Sequence, residues 1–304
     1  IGVAAAGIDT DKVTSISSET DLDIVCGEDD SVLKTQLTAA VLNAGENFLA
    51  WMLPVEEGSD NAECILSMQE AMDNYFKATS PEAVVCCRPA QSAEEIQDWH
   101  DAVMQERAEK GRQLFAMVAT SGVLATQVWS DYEAAQGDLV AELECHRVIV
   151  VPQLHGNNIG VLGGRLANRA TSIADSPMRV ETGSVLGLGD VPADADGIEL
   201  PESVLATLAA SRLSVPQHYC DYPGTYWADG TTLDVPAGDY QVIEYLRPVL
   251  KACRAVRILA IARVADRKFN DTPKSMAYHK KYFARPLREM SRSTTIEIGG
   301  TQLE

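Results

Sequence analysis

No apolar run in the 304-residue sequence approaches the roughly 20 residues that a membrane-spanning helix needs, and no charged–apolar–small pattern marks a secretory leader. Membrane insertion is not expected. The seven cysteines, at 26, 64, 86, 87, 145, 220 and 253, have no paired spacing. That argues against a zinc-finger pattern and a disulfide framework, and leaves buried free thiols in a reducing cytoplasm as the expectation. Internal repeats and low-complexity tracts are missing as well.

Catalytic templates are equally sparse. There is no G-x-S-x-G elbow and no H-E-x-x-H, and the five histidines (100, 146, 155, 218, 279) are dispersed. His218-x-Cys220 is a metal pair without a second pair at ligand spacing. Asp190 to Glu202 resembles a calcium loop only loosely, because Pro192 and Ala193 stand where oxygen ligands are wanted. Asp21/Asp23 and Glu94/Glu95 are explained as acids at helix N-termini, where the dipole favours them. Nothing assembles a nucleophile, a base and an orienting group, so no catalysis, metal or cofactor is expected.

One stretch invites a nucleotide reading. "GNNIGVLGGRLANR", residues 156–169, follows the strand-like "HRVIVVPQL". Its glycines match neither G-x-G-x-x-G nor G-x-x-x-x-G-K-[ST], and no Lys, Ser or Thr follows them for phosphate or magnesium. Arg165 and helix N-terminal amides suit an anion. Gly160, Gly163 and Gly164, three and four residues apart, also line one helix face and admit a second backbone, and this packing reading is preferred.

Positive charge is scarce over most of the chain. Residues 1–244 carry 12 Lys/Arg against 39 Asp/Glu, whereas residues 245–292 carry 13 against 3. An acidic body with a basic end suits head-to-tail self-association and argues against nucleic acid as the main partner.

Strand-like segments at Gly2–Ala6, Phe48–Val55, Ala83–Cys87, Leu114–Thr120 and Val148–Leu154 alternate with periodic helices at Ser31–Asn43, Asp60–Tyr75, Ala93–Lys110 and Thr126–Leu143. That rhythm predicts an α/β fold, a mixed sheet carrying parallel strands with flanking helices, over residues 1–155. Residues 156–304 read as a second, α+β part. It holds a helix after the glycines, a strand in "MRVETGSVLGL", a helix at Glu202–Ser211 and hairpin strands in "VPQHYCDYPGTYWADGTTL". A long helix from about Tyr240, a second from Thr272 to about Arg292, and a terminal strand "TTIEIGG" close the chain as a helical hairpin and strand.

Four stretches, "GNNIGVLGGRLANR", "SIADSPMRVETG", "YWADGTTL" and the run from "DYQVIEYLRPVLKACRAVRILAIARVADRKFN" to "REMS", resemble the tail sheath proteins of contractile bacteriophage tails and related prophage-encoded particles. The similarity spans roughly residues 145 to 300. It implies a structural subunit of the virion tail, assembled in the bacterial host cytoplasm, that polymerises helically around a tail tube protein between baseplate and tail terminator proteins. Contraction of that polymer drives the tube through the target envelope. In such families terminal arms lace neighbours together by strand addition; Ile1 opens the sequence inside an apolar stretch, so arms are expected to lie beyond it. The resemblance makes residues 156–304 the sheath core and turns the basic helices toward the tube. Arg254, Arg257, Lys280, Lys281, Arg285 and Arg288 are the expected assembly surface, and Gly160, Gly163, Gly164 and Arg165 a packing motif. The alternative is a prophage-encoded α/β enzyme or small-ligand-binding protein with its cleft at the carboxyl ends of the first strands.

Overall fold

Side-chain caps fix where the helices start. Ser31, Asp60, Ser92 and Thr272 each have extended backbone and accept a hydrogen bond from the amide three residues on. At Asp60 the cap is reciprocal, because the Glu63 carboxylate also accepts from the Asp60 N–H.

The computed structural model describes residues 1–291, 296–298 and 301–303. They fall into two compact units, Ile1–Arg247 and Pro248–Glu304, so the first unit runs well past residue 155. In the first unit come β1 (Gly2–Val3), β2 (Thr14–Ser17), α1 (Leu22–Cys26), α2 (Val32–Ala44), β3 (Leu49–Met52), β4 (Pro54–Val55), α3 (Asn61–Asn74), β5 (Ala83–Ala90), α4 (Ala93–Lys110) and β6 (Phe115–Thr120). Then follow α5 (Trp129–Val140), β7 (Val148–Pro152), α6 (Asn158–Ala167), α7 (Glu202–Ala210), β8 (Pro216–Tyr219) and β9 (Tyr222–Trp227). Helix α8 (Ile243–Ile261) begins here and contains the division between the units.

Strands β5, β6 and β7 are parallel in that order, with Ala116 of β6 opposite both Val84 and Val148. The Ile1 carbonyl accepts the Cys87 N–H at 2.8 Å, which sets β1 beside β5. β1 pairs in parallel with β4, while β2 and β3 are antiparallel, so the pairing is mixed. Beyond β7, Ser214 and Leu233 donate to the carbonyls of Val150 and Val148. Every residue of β6 and β7 is buried, which is why these strands read as continuous apolar runs. Ile96, Trp99 and Val103 of α4 and Cys64 and Met68 of α3 pack in the same core as Val84, Ala116 and Val150.

The second unit holds the rest of α8, α9 (Pro273–Met290), and an antiparallel hairpin of β10 (Ile296–Ile298) and β11 (Thr301–Leu303). Arg263 lies over the Tyr282 ring, 4.5 Å from its centroid, and pairs with Asp266 at 2.8 Å. Phe269 packs on the His279 ring at 4.6 Å.

Several sequence expectations need correction. "MRVETGSVLGL" contains no strand, only a short 3-10 turn at Val180–Thr182. Gly183 (φ +94°) and Gly187 (φ +64°) break the extended run. Val185 donates to the Thr225 carbonyl of β9 at 2.8 Å, and two asparagines serve the residues after it. The Asn43 amide bonds both the N–H and the C=O of Leu186, at 2.9 and 2.8 Å, and Asn157 bonds the Gly187 C=O and the Gly189 N–H. Helix α5 starts at Trp129 rather than Thr126, because the Asp194 carboxylate, 65 residues away, accepts the Trp129 N–H. That carboxylate also takes the amides of Asp196 and Ile198, so backbone donors occupy it in the loop with calcium-like spacing. The segment Gly2–Ala6 is extended only at Gly2–Val3, and β2 and α1 are too short for their patterns to show. Five cysteines are buried, but Cys220 and Cys253 are exposed. Thr294, Thr295, Gly299 and Gly300 of the terminal strand expectation lie outside the described residues.

Candidate functional site

The glycine segment is where α6 crosses α2. A Cβ on Gly160 would lie 2.2 Å from the Gln36 carbonyl oxygen, and one on Gly164 would lie 2.2 Å from that of Ala40. Gly163 points elsewhere: its Cβ would meet a Val85 methyl at an ordinary 3.9 Å. Two glycines one turn apart therefore face two α2 residues one turn apart. The amide where a phosphate would dock is taken, because the Gln36 Oε1 accepts the Gly160 N–H at 2.8 Å. Gln36 itself is held by donating to the Gly156 carbonyl at 2.7 Å and to the Gln153 side chain.

Arg165 follows on the same helix and is buried. Its Nε donates to the Pro177 carbonyl at 2.6 Å, Nη1 to Gly183 at 2.9 Å and Nη2 to Arg179 at 2.8 Å. The side chain thus gathers the segment from 177 to 183 onto α6. Burial pushes its pKa below the ordinary guanidinium value.

The six basic candidates lie on two helices of the second unit. Arg254 and Arg257 are on α8, half-buried and exposed respectively, and neither is without a partner. Lys280, Lys281, Arg285 and Arg288 are exposed on α9. Lys281, Arg285 and Arg288 share one face by spacing, and Arg288 donates to the Lys281 carbonyl at 2.9 Å. Arg285 pairs with Glu289 one turn on, at 2.9 Å. Composition alone did not reveal the apolar company of these charges. Ile258 (67% exposed), Ile261 and Val264 (76%) follow one another on α8 and just beyond it, and Tyr278, Leu287 and Met290 are exposed on α9.

Residues 1–231 match the family model for the DUF2586 N-terminal domain, and residues 239–303 match that for the DUF2586 C-terminal domain. The tail sheath protein described for Haemophilus phage HP1 (strain HP1c1) is 44% identical over 293 residues, which cover 94% of this chain and 76% of that protein. The chain belongs to the tail sheath family. Its fold agrees. It resembles the helical sheath of the anti-feeding prophage in the contracted state (TM-score 0.62, 13% identity, 98% of this chain and 79% of that one). It also resembles the sheath of the PVC extracellular contractile injection system, likewise contracted (TM-score 0.61, 13% identity, 98% and 77%).

In this sheath chain the carboxyl ends of β5 to β7, where the enzyme alternative puts its cleft, are bridged by neutral groups. The Gln91 amide donates to the Ser121 Oγ, the Tyr132 hydroxyl to the Ser121 carbonyl, and Thr120 to Gln136. A Cβ on Gly122 would lie 2.5 Å from the Gln153 carbonyl oxygen. Among the described residues, no group of three or more His, Cys, Asp or Glu could hold a metal ion, and no helix is long and apolar enough to cross a membrane.

The fold does bring together histidines that sequence spacing kept apart. The His100 and His146 rings meet edge-on at 5.2 Å, and Tyr240 lies 5.8 Å beyond His146. Burial lowers the pKa of both histidines, and it pushes His155 down to about 4. No local motif announces these contacts.

Proposed function

We propose that this sheath chain polymerises as a helix around an inner tube, and that contraction of the polymer drives the tube through a target cell envelope. The observation that carries the proposal is the 44% identity to a phage tail sheath protein across nearly the whole chain. The shared fold with two contracted sheaths, along 98% of this chain, supports it. Its partners are further copies of itself, the tail tube protein, and baseplate and tail terminator proteins at the ends. Its place is the virion tail, assembled in the bacterial host cytoplasm, and its role is mechanical rather than catalytic.

In this proposal α8 and α9 supply an assembly face through Arg254, Arg257, Lys280, Lys281, Arg285 and Arg288, meeting acidic surface on the tube or an adjacent subunit. Exposed ion pairs are individually weak, but repetition along a polymer makes them set register. The exposed Ile258, Ile261 and Val264 favour a face that loses solvent on assembly. The glycine crossing of α6 on α2 and the Arg165 anchor keep the first unit rigid, so that it moves as a body. Negative-stain microscopy of the full-length protein tests the proposal: tubular polymers are expected, and a protein that stays dispersed with and without its tube overturns it.

A further inference from the structure

One face of α9 is a row of exposed cations. Lys274, Lys281, Arg285 and Arg288, with the exposed Tyr278 among them, follow one another at steps of four, three, four and three residues. Such steps keep all five on one side of a helix over about 21 Å. Among the described residues, Glu289 against Arg285 is the one carboxylate that pairs with this row. The first unit carries a face of opposite sign at similar spacing. On α4, Glu94, Asp98, Asp101 and Glu109 are exposed, and Gln105 fills the gap in their row. Among the described residues, none of these four carboxylates pairs with a lysine or arginine. Asp101 meets only the Gln97 amide and the His100 ring, and Glu109 accepts from Gln105. The row also repels itself: burial, and then the charges of Glu94, Asp101 and Glu95, hold the Asp98 carboxyl above its ordinary value.

We propose that in the assembled sheath the α9 row of one subunit lies antiparallel on the α4 row of a second copy of the chain. The inference rests on the assembly reading above and decides its choice between tube and adjacent subunit. Laid that way, Arg288 meets Glu94, Arg285 meets Asp98 and Lys281 meets Asp101, while Tyr278 meets Gln105 and Lys274 meets Glu109. No pair is more than one residue, about 1.5 Å, out of step. The parallel alignment is poorer, because it sets Arg285 against Gln105 and Asp98 against Tyr278. A second copy is the fitting occupant because every subunit carries both rows. The contact is heterologous, so each subunit offers one α9 and receives another, as an open polymer requires. A single exposed ion pair contributes about 0–1 kcal/mol, but four in one row, repeated at each subunit, select one alignment and penalise slipped ones.

Charge exchange in the full-length protein tests this. Asp98→Lys with Asp101→Lys reverses the α4 row, and Lys281→Glu with Arg285→Glu reverses the α9 row. Each double variant should cut polymer yield around the tube by about tenfold or more. All four substitutions together should restore yield to within about threefold of wild type, because opposite charges again face each other. Restoration also excludes misfolding as the cause of either loss. A second measurement is independent of charge. Polymers of Asp101→Cys with Lys281→Cys, oxidised with diamide, should give a ladder of covalent oligomers that neither single variant gives. Normal polymers from the α4 reversal, no restoration in the fourfold variant, or no ladder overturns the inference and leaves the function intact. Wild-type protein that forms no polymer with its tube overturns both.

Discussion

The Oε1 of Gln36 accepts the Gly160 N–H at 2.8 Å, across 124 residues of sequence, while the Gln36 backbone presses against the position a Gly160 Cβ would need. One residue of α2 therefore both occupies the start of α6 and demands the glycine there. The expected consequence is an asymmetry among three glycines. Gly160→Ala and Gly164→Ala should each cost about 3 kcal/mol or more, since helix backbones must separate. Gly163→Ala has room and should be neutral or slightly stabilising, by up to about 1 kcal/mol from helix propensity. Urea unfolding of the three variants checks the contrast.

A second expectation concerns Glu106, buried at the end of α4. Its two oxygens bind Lys110 at 3.0 Å and Arg112 at 2.6 Å, and Arg112 also donates to the carbonyls of Met72 and Phe76 at the end of α3. Glu106→Gln keeps the shape but leaves the half-exposed Asp73 as the carboxylate partner of Lys110 and Arg112. A loss of about 1 to 2 kcal/mol is expected by chemical denaturation.

Acid should destabilise the chain through its histidines. His100, His146 and His155 have pKa values held below the ordinary 6.5, mainly by burial, with His155 at about 4. The unfolded chain therefore binds protons at a pH where the folded chain does not. Stability should be full above pH 6.5 and fall as pH drops toward 4, by up to about 1.4 kcal/mol per pH unit for each histidine. Denaturation midpoints from pH 7.5 to 4.5 test this, and His155→Gln should flatten the lower part of the curve.

Arg285→Glu combined with Arg288→Glu reverses two charges on the exposed face of α9. The unassembled protein should stay folded, losing at most about 1 kcal/mol because Arg285→Glu trades the Glu289 ion pair for a like-charge contact. Co-assembly with the tube should fail or need far more protein. Raising salt should weaken wild-type assembly, as screening over about 8 to 10 Å requires. Normal contractile tails built from the double variant would return these arginines to solvent.

How much of this was legible beforehand depends on how far apart the interacting groups lie along the chain. Ser92 caps α4 by accepting the Glu95 N–H from within one turn, and the apolar runs of β6 and β7 signal burial on both faces, so helix starts and parallel strands are local in origin. The shortage of positive charge before residue 245 is likewise a property of composition. Arg165 could be read as an anion ligand or as a packing residue, and its sequence neighbours do not decide between them. Its partners are backbone carbonyls 12 to 18 residues away, which carry no side-chain signature. The segment around Leu186 failed for the same reason. Its extended pattern looks like a strand, but beyond the one bond from Val185 to Thr225 it is Asn43, 143 residues earlier, and Asn157 that satisfy its backbone. Local propensity and charge are set by residues within a turn or two of each other. Which distant carbonyl or amide satisfies a buried donor is decided only when the chain has closed around it, because a buried polar group must be paired by whatever the tertiary fold brings within about 3 Å.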